Sequence, residues 1–291
     1  MVVPAPPYPS DLTDAEWAIL APLIPAAKPG GRPRKWAMRA VLDAIFSLVR
    51  AGCTWRMLPR GFPPWSTVHH YCRQWRKEGI WERIHTTLRE RERVRQGRAA
   101  QPTAAAIDSQ SVQPTSVGGG RGYDGAKTLS GRQRHIVVDT LGLVLKLRVH
   151  AANLQDRAAG PQVRDQMHAA FPRLNHLWAD QGYTDSGTAW IEAELGWAVA
   201  IVRHPPHARG EWRPIGALSD RRTVRFEWVR RPPAPKRLRG ILPRRWVVER
   251  TFSWLAHSRR LTKEYKRLCE TSDAFIYAAM SRLMVRRLAN A

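Results

Sequence analysis

The sequence predicts an α+β to α/β fold in two parts: an all-helical, helix-turn-helix-like module over residues 10–98, then a domain over 99–291 with a mixed sheet flanked by helices. Three observations predict it. Apolar residues recur at helical spacing through the first third of the chain. Near residue 99 the pattern switches to short apolar runs and a hairpin, and from about residue 158 helix-like and strand-like segments alternate. With 291 residues, 43% of them hydrophobic, the chain can bury a sizeable core and divide into two domains.

The segment up to about Pro9 is Pro-rich and extended. Ser10-Asp11-Leu12-Thr13 then leads into the spacing of Trp17, Leu20 and Ile24, a short helix. Pro29-Gly30-Gly31-Arg32-Pro33 is a loop. From Trp36 to Arg50, the residues Val41, Leu42, Ile45, Leu48 and Val49 mark one face of a helix that Gly52 closes. Ser66 reads as the N-cap of a helix running to about Lys77, Gly79 ends it, and Trp81 onward is a third long helix with a very basic end. Trp55 to Pro59 and Pro63 to Val68 lead into His69-His70-Tyr71-Cys72-Arg73-Gln74-Trp75-Arg76-Lys77, a helix-turn-helix pattern. On its second helix Arg73, Arg76 and Lys77 either meet DNA or form a solvated basic face. His69, His70 and Cys72 lack a complementary Cys or His pair at finger spacing, so packing or capping is expected of them rather than zinc binding.

Arg95 to Pro102 reads as a linker. Thr103 to Ile107 is a short apolar run ending in Asp108. His135 to Asp139 and Leu143 to Val149 flank a Leu141-Gly142 turn as a hairpin. Residues 158–170 read as a helix, Leu174 to Ala179 as a strand ending at Asp180, Thr188 to Leu195 as a helix and Trp197 to Val202 as a strand. Residues 205–242, rich in Pro and Arg, read as an insertion with one strand near Val224 to Val229, and their proline content argues against a compact subdomain. Pro243 suits the first turn of a helix from Arg244 to about His257, and two further helical stretches follow.

The apolar runs fall short of the ~18 residues a membrane span needs, and the opening residues lack the layout of a signal peptide. A cytoplasmic protein is expected. Cys53, Cys72 and Cys269 are too widely spaced for a disulfide framework and suit a reducing compartment. Charge says more: 48 Lys and Arg against 24 Asp and Glu leave +24, far more than solubility needs. The basic residues cluster at Arg32 to Lys35, Arg73 to Lys77, Arg89 to Arg98, Arg221 to Arg239 and Arg244-Arg245. A coding bias toward Arg is the alternative source of such charge, but it would not explain the clustering, which points to a phosphate backbone as partner, bound with strong salt dependence and little sequence information.

Three acids stand out against this background. Asp is disfavoured in strands, yet Asp108 and Asp180 each follow an apolar run and so occupy strand ends. For either alone a turn cap would be the simpler account. Glu249 lies on a helix at the edge of the stripe Val248, Phe252 and Leu255, with Arg245 four residues earlier. A base-before-acid pair at that spacing is the less favourable order for a helix salt bridge, and an Arg beside a metal-binding Glu is placed to hold a phosphate. Carboxylates from three separated segments suit Mg²⁺ or Mn²⁺, and two ions about 4 Å apart can support in-line displacement at phosphorus without a protein nucleophile.

Several motifs, in order, resemble the DDE transposases of bacterial insertion sequences, of the insertion-sequence family five type. They are Leu12-Thr13-Asp14-Ala15-Glu16-Trp17, Gly30-Gly31-Arg32-Pro33-Arg34, Gly52-Cys53-Thr54-Trp55-Arg56-Met57-Leu58-Pro59, Ile107-Asp108-Ser109-Gln110-Ser111, Ala179-Asp180-Gln181-Gly182-Tyr183 and Pro243-Arg244-Arg245-Trp246-Val247-Val248-Glu249-Arg250. The resemblance spans nearly the whole chain. It implies an RNase H-like catalytic domain with Asp108 and Asp180 on adjacent central strands and Glu249 on a later helix. It also implies two bound Mg²⁺ or Mn²⁺ ions, double-stranded DNA as substrate and target, and a homodimer on DNA, in the cytoplasm and associated with the nucleoid. Arg245 matches the Arg of a Tyr, Arg, Glu, Lys pattern. Leu242 and Ala256 stand where its Tyr and Lys would be, which leaves Arg259 or Arg260 to supply the missing cation. Strand transfer is the leading expectation; a metal-dependent nuclease without strand transfer and an inactive DNA-binding repressor are the alternatives.

Overall fold

Residues 8–27, 29–30, 33–125, 128–153, 167–180, 196–201, 210–215, 225–230 and 246–291 are described by the computed structural model. Thr13 starts helix α1 (Asp14–Leu20) with a reciprocal capping box to Glu16. Helix α2 (Met38–Ala51) buries its apolar face and stops at Gly52, whose left-handed backbone donates back to the Leu48 carbonyl. Helix α3 (Trp65–Lys77) begins two residues earlier than Ser66 as a cap would have it, with Pro64 at the N-cap. Gly79, also left-handed, turns the chain directly into α4 (Ile80–Arg95).

The helix-turn-helix expectation changes in detail. Residues 52–64 separate α2 from α3 and contain a 3₁₀ turn at Trp55–Met57, so this pair lacks the short connection of that motif. The tight turn falls one helix later, between α3 and α4.

The second part opens with β1 (Ala104–Val112), β2 (Gly122–Asp124), β3 (Leu129–Asp139) and β4 (Val144–Ala151). A short helix α5 (Met167–Ala170) precedes β5 (His176–Ala179) and β6 (Ala198–Ile201). Strand β3 runs antiparallel to β1 and β4, and its beginning also pairs with β2, while β1, β5 and β6 run parallel. Three antiparallel strands joined to parallel ones through β1, with helices against the sheet, give the mixed arrangement of an RNase H-like fold. The expected helices at 158–166 and Thr188 to Leu195 lie outside the described residues.

Two expectations are corrected here. The first apolar run does not end at Asp108: β1 continues to Val112 because β3 is long enough to pair with it throughout, from Ala105 opposite Asp139 to Val112 opposite Arg132. Asp108 therefore sits mid-strand. Within 205–242, a second strand joins the expected one, and β7 (Gly210–Ile215) and β8 (Arg225–Arg230) pair as an antiparallel hairpin. Proline at position 214 hides β7 from a pattern reading, but a two-stranded ribbon has an open edge that tolerates a missing N–H.

Helices α6 (Trp246–Ala256), α7 (Arg259–Thr262) and α8 (Cys269–Ala289) complete the chain. The change of pattern near residue 99 is a change of secondary structure, while one core runs across it. Phe275, Ile276, Met280 and Met284 of α8 are buried in a single cluster with Val41, Ile45 and Leu48 of α2, Ile84 and Leu88 of α4, and Ile136 and Leu147 of the sheet. Ion pairs tie the same halves: Arg282 of α8 meets buried Glu16 of α1 at 2.6 Å, and Arg93 of α4 meets buried Asp139 at the end of β3. The other oxygen of Asp139 accepts from the Leu141 and Leu143 amides at 2.9 Å, so this acid organises the hairpin turn.

Gly142 in that turn is required twice. Its φ is +78°, and a Cβ would stand 3.0–3.2 Å from Thr251, Arg250 and Trp254 of α6. Gly142→Ala should therefore combine left-handed strain with crowding of about 1–3 kcal/mol. Gly79→Ala, with φ +66° and open space around it, should carry only the strain of about 1–2 kcal/mol. Urea denaturation of both variants checks this, and equal losses would refute the close-approach argument.

A pH dependence follows from α8. Burial pushes the Asp273 carboxyl up from 3.8 to about 7, against the opposing pull of Arg148 and of the Val149 amide that donates to it. The folded chain thus holds this proton more tightly than the unfolded one, and stability is lost as pH rises through that interval. Asp273→Asn keeps the carbonyl that accepts from Val149 at 2.9 Å and cannot ionise. Its midpoint of denaturation should fall less between about pH 4 and 7 than the parent's.

Candidate catalytic site

The sheet register brings the two aspartates together. Strands β1 and β5 pair in parallel, with Ala104 opposite His176, Ala105 opposite Leu177 and Ala106 opposite Trp178. Two residues further along each strand stand Asp108 and Asp180. Equal steps from paired residues leave them at the same height, on neighbouring strands about 4.8 Å apart. Strand β5 ends at Ala179, so Asp180 lies where the backbone leaves the sheet, while Asp108 is still held in place by Ile136 of β3 across the other edge of β1. Both aspartates are half-buried, and Asp108 accepts a hydrogen bond from the Ser109 amide at 2.7 Å.

Alternation along β1 decides the face. Ala105 and Ile107 enter one core with Leu177 and Ala179, whereas Ala106, Ile136 and Val138 enter the other with Val248, Phe252 and Leu255 of α6. Asp108 shares the parity of Ala106, so its position belongs to the face that α6 covers. Full burial of Leu255 and near-full burial of Phe252 contribute about 1.5–3 kcal/mol each to that docking. Polar contacts fix it in rotation: Thr251 Oγ1 donates to the Gly142 carbonyl and Arg250 Nη2 to the Leu141 carbonyl, each at 2.8 Å. Glu249 lies in the first turn of α6, where the helix dipole favours a carboxylate, and is exposed.

The acids thus come from β1, the end of β5 and the first turn of a helix packed on β1 and β3. Among the described residues no group of three His, Cys, Asp or Glu side chains is gathered closely enough to hold a metal ion. The donor chemistry nonetheless fits a hard cation: two carboxylates on adjoining strands supply oxygen ligands, and such ions complete their shell with water and phosphate. Two further acids near the sheet are spoken for structurally. Asp139 is held by Arg93, and Glu264 by Lys266 at 2.9 Å; although burial pushes the Glu264 carboxyl up, Lys266 and Arg134 outweigh it and hold the group below its ordinary value.

The basic residues divide. Arg245 lies outside the described residues. Arg259 is exposed at the start of α7, close to Gly52. Arg260 is turned inward, 7% exposed, donating to the Gly52 carbonyl at 3.3 Å and lying over the Tyr265 ring. Of the pair, only Arg259 presents its charge to solvent. On α3, Arg73 and Lys77 are exposed and Arg76 is half-buried, donating to Thr271 Oγ1 of α8 at 3.0 Å. Arg73 and Arg76 also line a cleft of about 270 Å³ with Trp55 and His69. His69 packs edge-on against Trp55; burial lowers its pKa, and Arg73 and Arg76 add to this. Cys72 is in the core, where burial pushes its thiol up to about 12.

Comparison with known proteins finds relatives over both parts of the chain. Residues 12–85 match the family model described as "Putative transposase of IS4/5 family". The chain is also 28% identical over 113 residues to the insertion element IS402 uncharacterized 16.2 kDa protein of Burkholderia cepacia, a match covering 37% of this chain and 76% of that protein. Residues 99–284, which contain Asp108, Asp180 and Glu249, match the family model for the transposase DDE domain. That match spans more than half of the chain, and with its two aspartates on adjoining strands and its glutamate on a helix packed against β1 and β3, this chain belongs to the transposase DDE domain family.

Proposed function

We propose that the chain is the transposase of a bacterial insertion sequence. In this reading it binds the ends of its own element as double-stranded DNA, cuts a phosphodiester to free a 3′ hydroxyl, and directs that hydroxyl onto target DNA. The observation that carries the proposal is the β1–β5 register, which sets Asp108 beside Asp180 under α6.

Asp108, Asp180 and Glu249 are the residues that would hold divalent ions, Mg²⁺ or Mn²⁺, and two such ions supply activation of the attacking oxygen and stabilisation of the leaving one. The chain's own part is positional. Pairing of Asp108 with Ile136 of β3 holds its backbone in the sheet, and the β5 ladder two residues earlier sets that backbone beside Asp180. Glu249 approaches from a helix whose docking depends on Gly142, and DNA that displaces or tightens α6 would adjust this third ligand. Arg259, exposed at the start of α7, and Arg245, by its place in the sequence beside Glu249, are the contacts proposed for phosphates of the bound strand. Arg73, Arg76 and Lys77 form a second basic surface on α3, reached by DNA running beyond the cut. Joining at a target calls for two ends held together, and a homodimer on DNA meets that need. No described helix is long and apolar enough to cross a membrane. With an excess charge of +24 drawing it to DNA, the cytoplasm and its nucleoid are the proposed place of action.

Supercoiled DNA carrying the element's ends, incubated with Mg²⁺ or chelator, tests the assignment. Cutting should require the metal and should fall in Asp108→Ala, Asp180→Ala and Glu249→Ala by more than the roughly 10–100-fold that loss of an outer-shell partner costs. DNA binding should persist in all three. Retained cutting by Asp180→Ala would sink the three-acid site. On α3, Arg73→Gln should lower the salt dependence of binding by about one phosphate contact and leave the metal requirement unchanged.

A further inference from the structure

A cleft of about 310 Å³ opens beside the aspartates, between the far end of β1, β3 and the turn from α6 to α7. Its lining includes Gln110 and Gln113 at and beyond the end of β1, Arg134 of β3, Ala256 at the last position of α6, and Thr262 and Lys263 at the end of α7. Gln110 pairs with Arg134 just as Asp108 pairs with Ile136, two residues along the same strands. The cleft therefore starts about 7 Å from Asp108 on the same sheet face.

At its floor the hydrogen-bonding is incomplete. Arg134 is 2% exposed, and its Nε and Nη2 have no hydrogen-bond partner. The carboxylate of Glu264 stands 3.8 Å from Nη2, too far for a hydrogen bond. Arg132, two residues earlier, shows the contrast, since it donates to the carbonyls of Gly120, Lys266 and Arg267 at 2.6–2.8 Å. Arg132, Arg134 and Lys266 all converge on Glu264, so three buried cations share one carboxylate. Such an excess is unfavourable unless another anion joins the cluster. Burial brings the Lys266 ammonium down to about 8 despite Glu264 beside it, which agrees with a shortage of negative charge. Lys263 is exposed at the rim and adds a cation where an anion would enter.

We propose that Arg134 and Lys263 hold a backbone phosphate of the DNA strand that lies across Asp108 and Asp180, next along from the reacting phosphodiester. A backbone phosphate fits better than a free small anion because the cleft opens onto the face that carries the aspartates. Ala256 lets the strand in: any longer side chain at the end of α6 would reach into this space. The proposal rests on the transposase reading, and it assigns to a strand residue and a loop lysine a role that sequence spacing alone would give to cations on α6 or α7.

Arg134 is buried and its removal could disturb the fold, so the test uses Lys263→Gln and Ala256→Glu, both at exposed positions. The full chain is titrated against a short fluorescent duplex carrying one end of the element, without divalent metal, over a range of salt. One phosphate contact contributes about 0.9 to the slope of log affinity against log salt, so the advantage of the parent over Lys263→Gln should shrink about 3.5-fold between about 50 and 200 mM. Ala256→Glu, which places a carboxylate in the cleft, should give a similar loss. Combining the two should cost much less than the sum of the separate effects. Slopes equal to the parent's in both variants, or full additivity, would overturn the proposal. Metal-dependent cutting by the same preparations reads the transposase assignment separately: normal cutting with unchanged slopes removes the phosphate site alone, and altered slopes without any cutting remove the transposase assignment alone.

Discussion

The parallel register between β1 and β5 is the constraint on which the functional geometry depends. With Ala106 opposite Trp178, Asp108 and Asp180 each follow two residues beyond a paired position on neighbouring strands. A slip of one residue would send one of them to the opposite face of the sheet, into the core of Leu177, Ala179 and Met167. Burial on both faces prevents that slip, because Ala105, Ala106 and Ile107 are each at most 2% exposed. The apolar run before each acid is therefore the means by which the acid is placed.

The glutamate depends on a different device. Helix α6 is held against the sheet by an apolar stripe and oriented by two hydrogen bonds to the β3–β4 turn, whose shape comes in turn from Asp139. Because Asp139 is also the partner of Arg93 on α4, the helical module and the sheet face under α6 share one set of contacts. Breaking a buried pair of this kind strands a charge in a low-dielectric interior, typically a loss of about 3–5 kcal/mol. Helix α8 touches α3, α4 and α6, and so joins the basic face of α3 to the helix that carries Glu249.

A basic chain must also keep its cations from repelling one another in the interior. Several do so by donating to backbone carbonyls, as Arg132 does to Lys266 and Arg250 to Leu141, or by lying over rings, as Arg287 does over Trp254. Arg134 has neither arrangement for its Nε and Nη2, and its cleft adjoins the acids.

What the sequence determined by itself is local. Thr13 and Glu16 cap a helix, Gly52 and Gly79 end or redirect others, the Leu141-Gly142 turn makes a hairpin, and Asp108, Asp180 and Glu249 stand out by their motifs; each depends on residues within a few positions of one another. The tertiary structure decided the rest. It extended β1 past Asp108 because β3 was there to pair with it, inserted α8 between module and sheet, turned Arg260 inward, and left Arg134 short of partners beneath an open cleft. These outcomes join residues as far apart as Arg260 and Gly52. Caps and periodicity act over one turn of chain, whereas register, burial and charge pairing are set by whichever distant segment packs alongside.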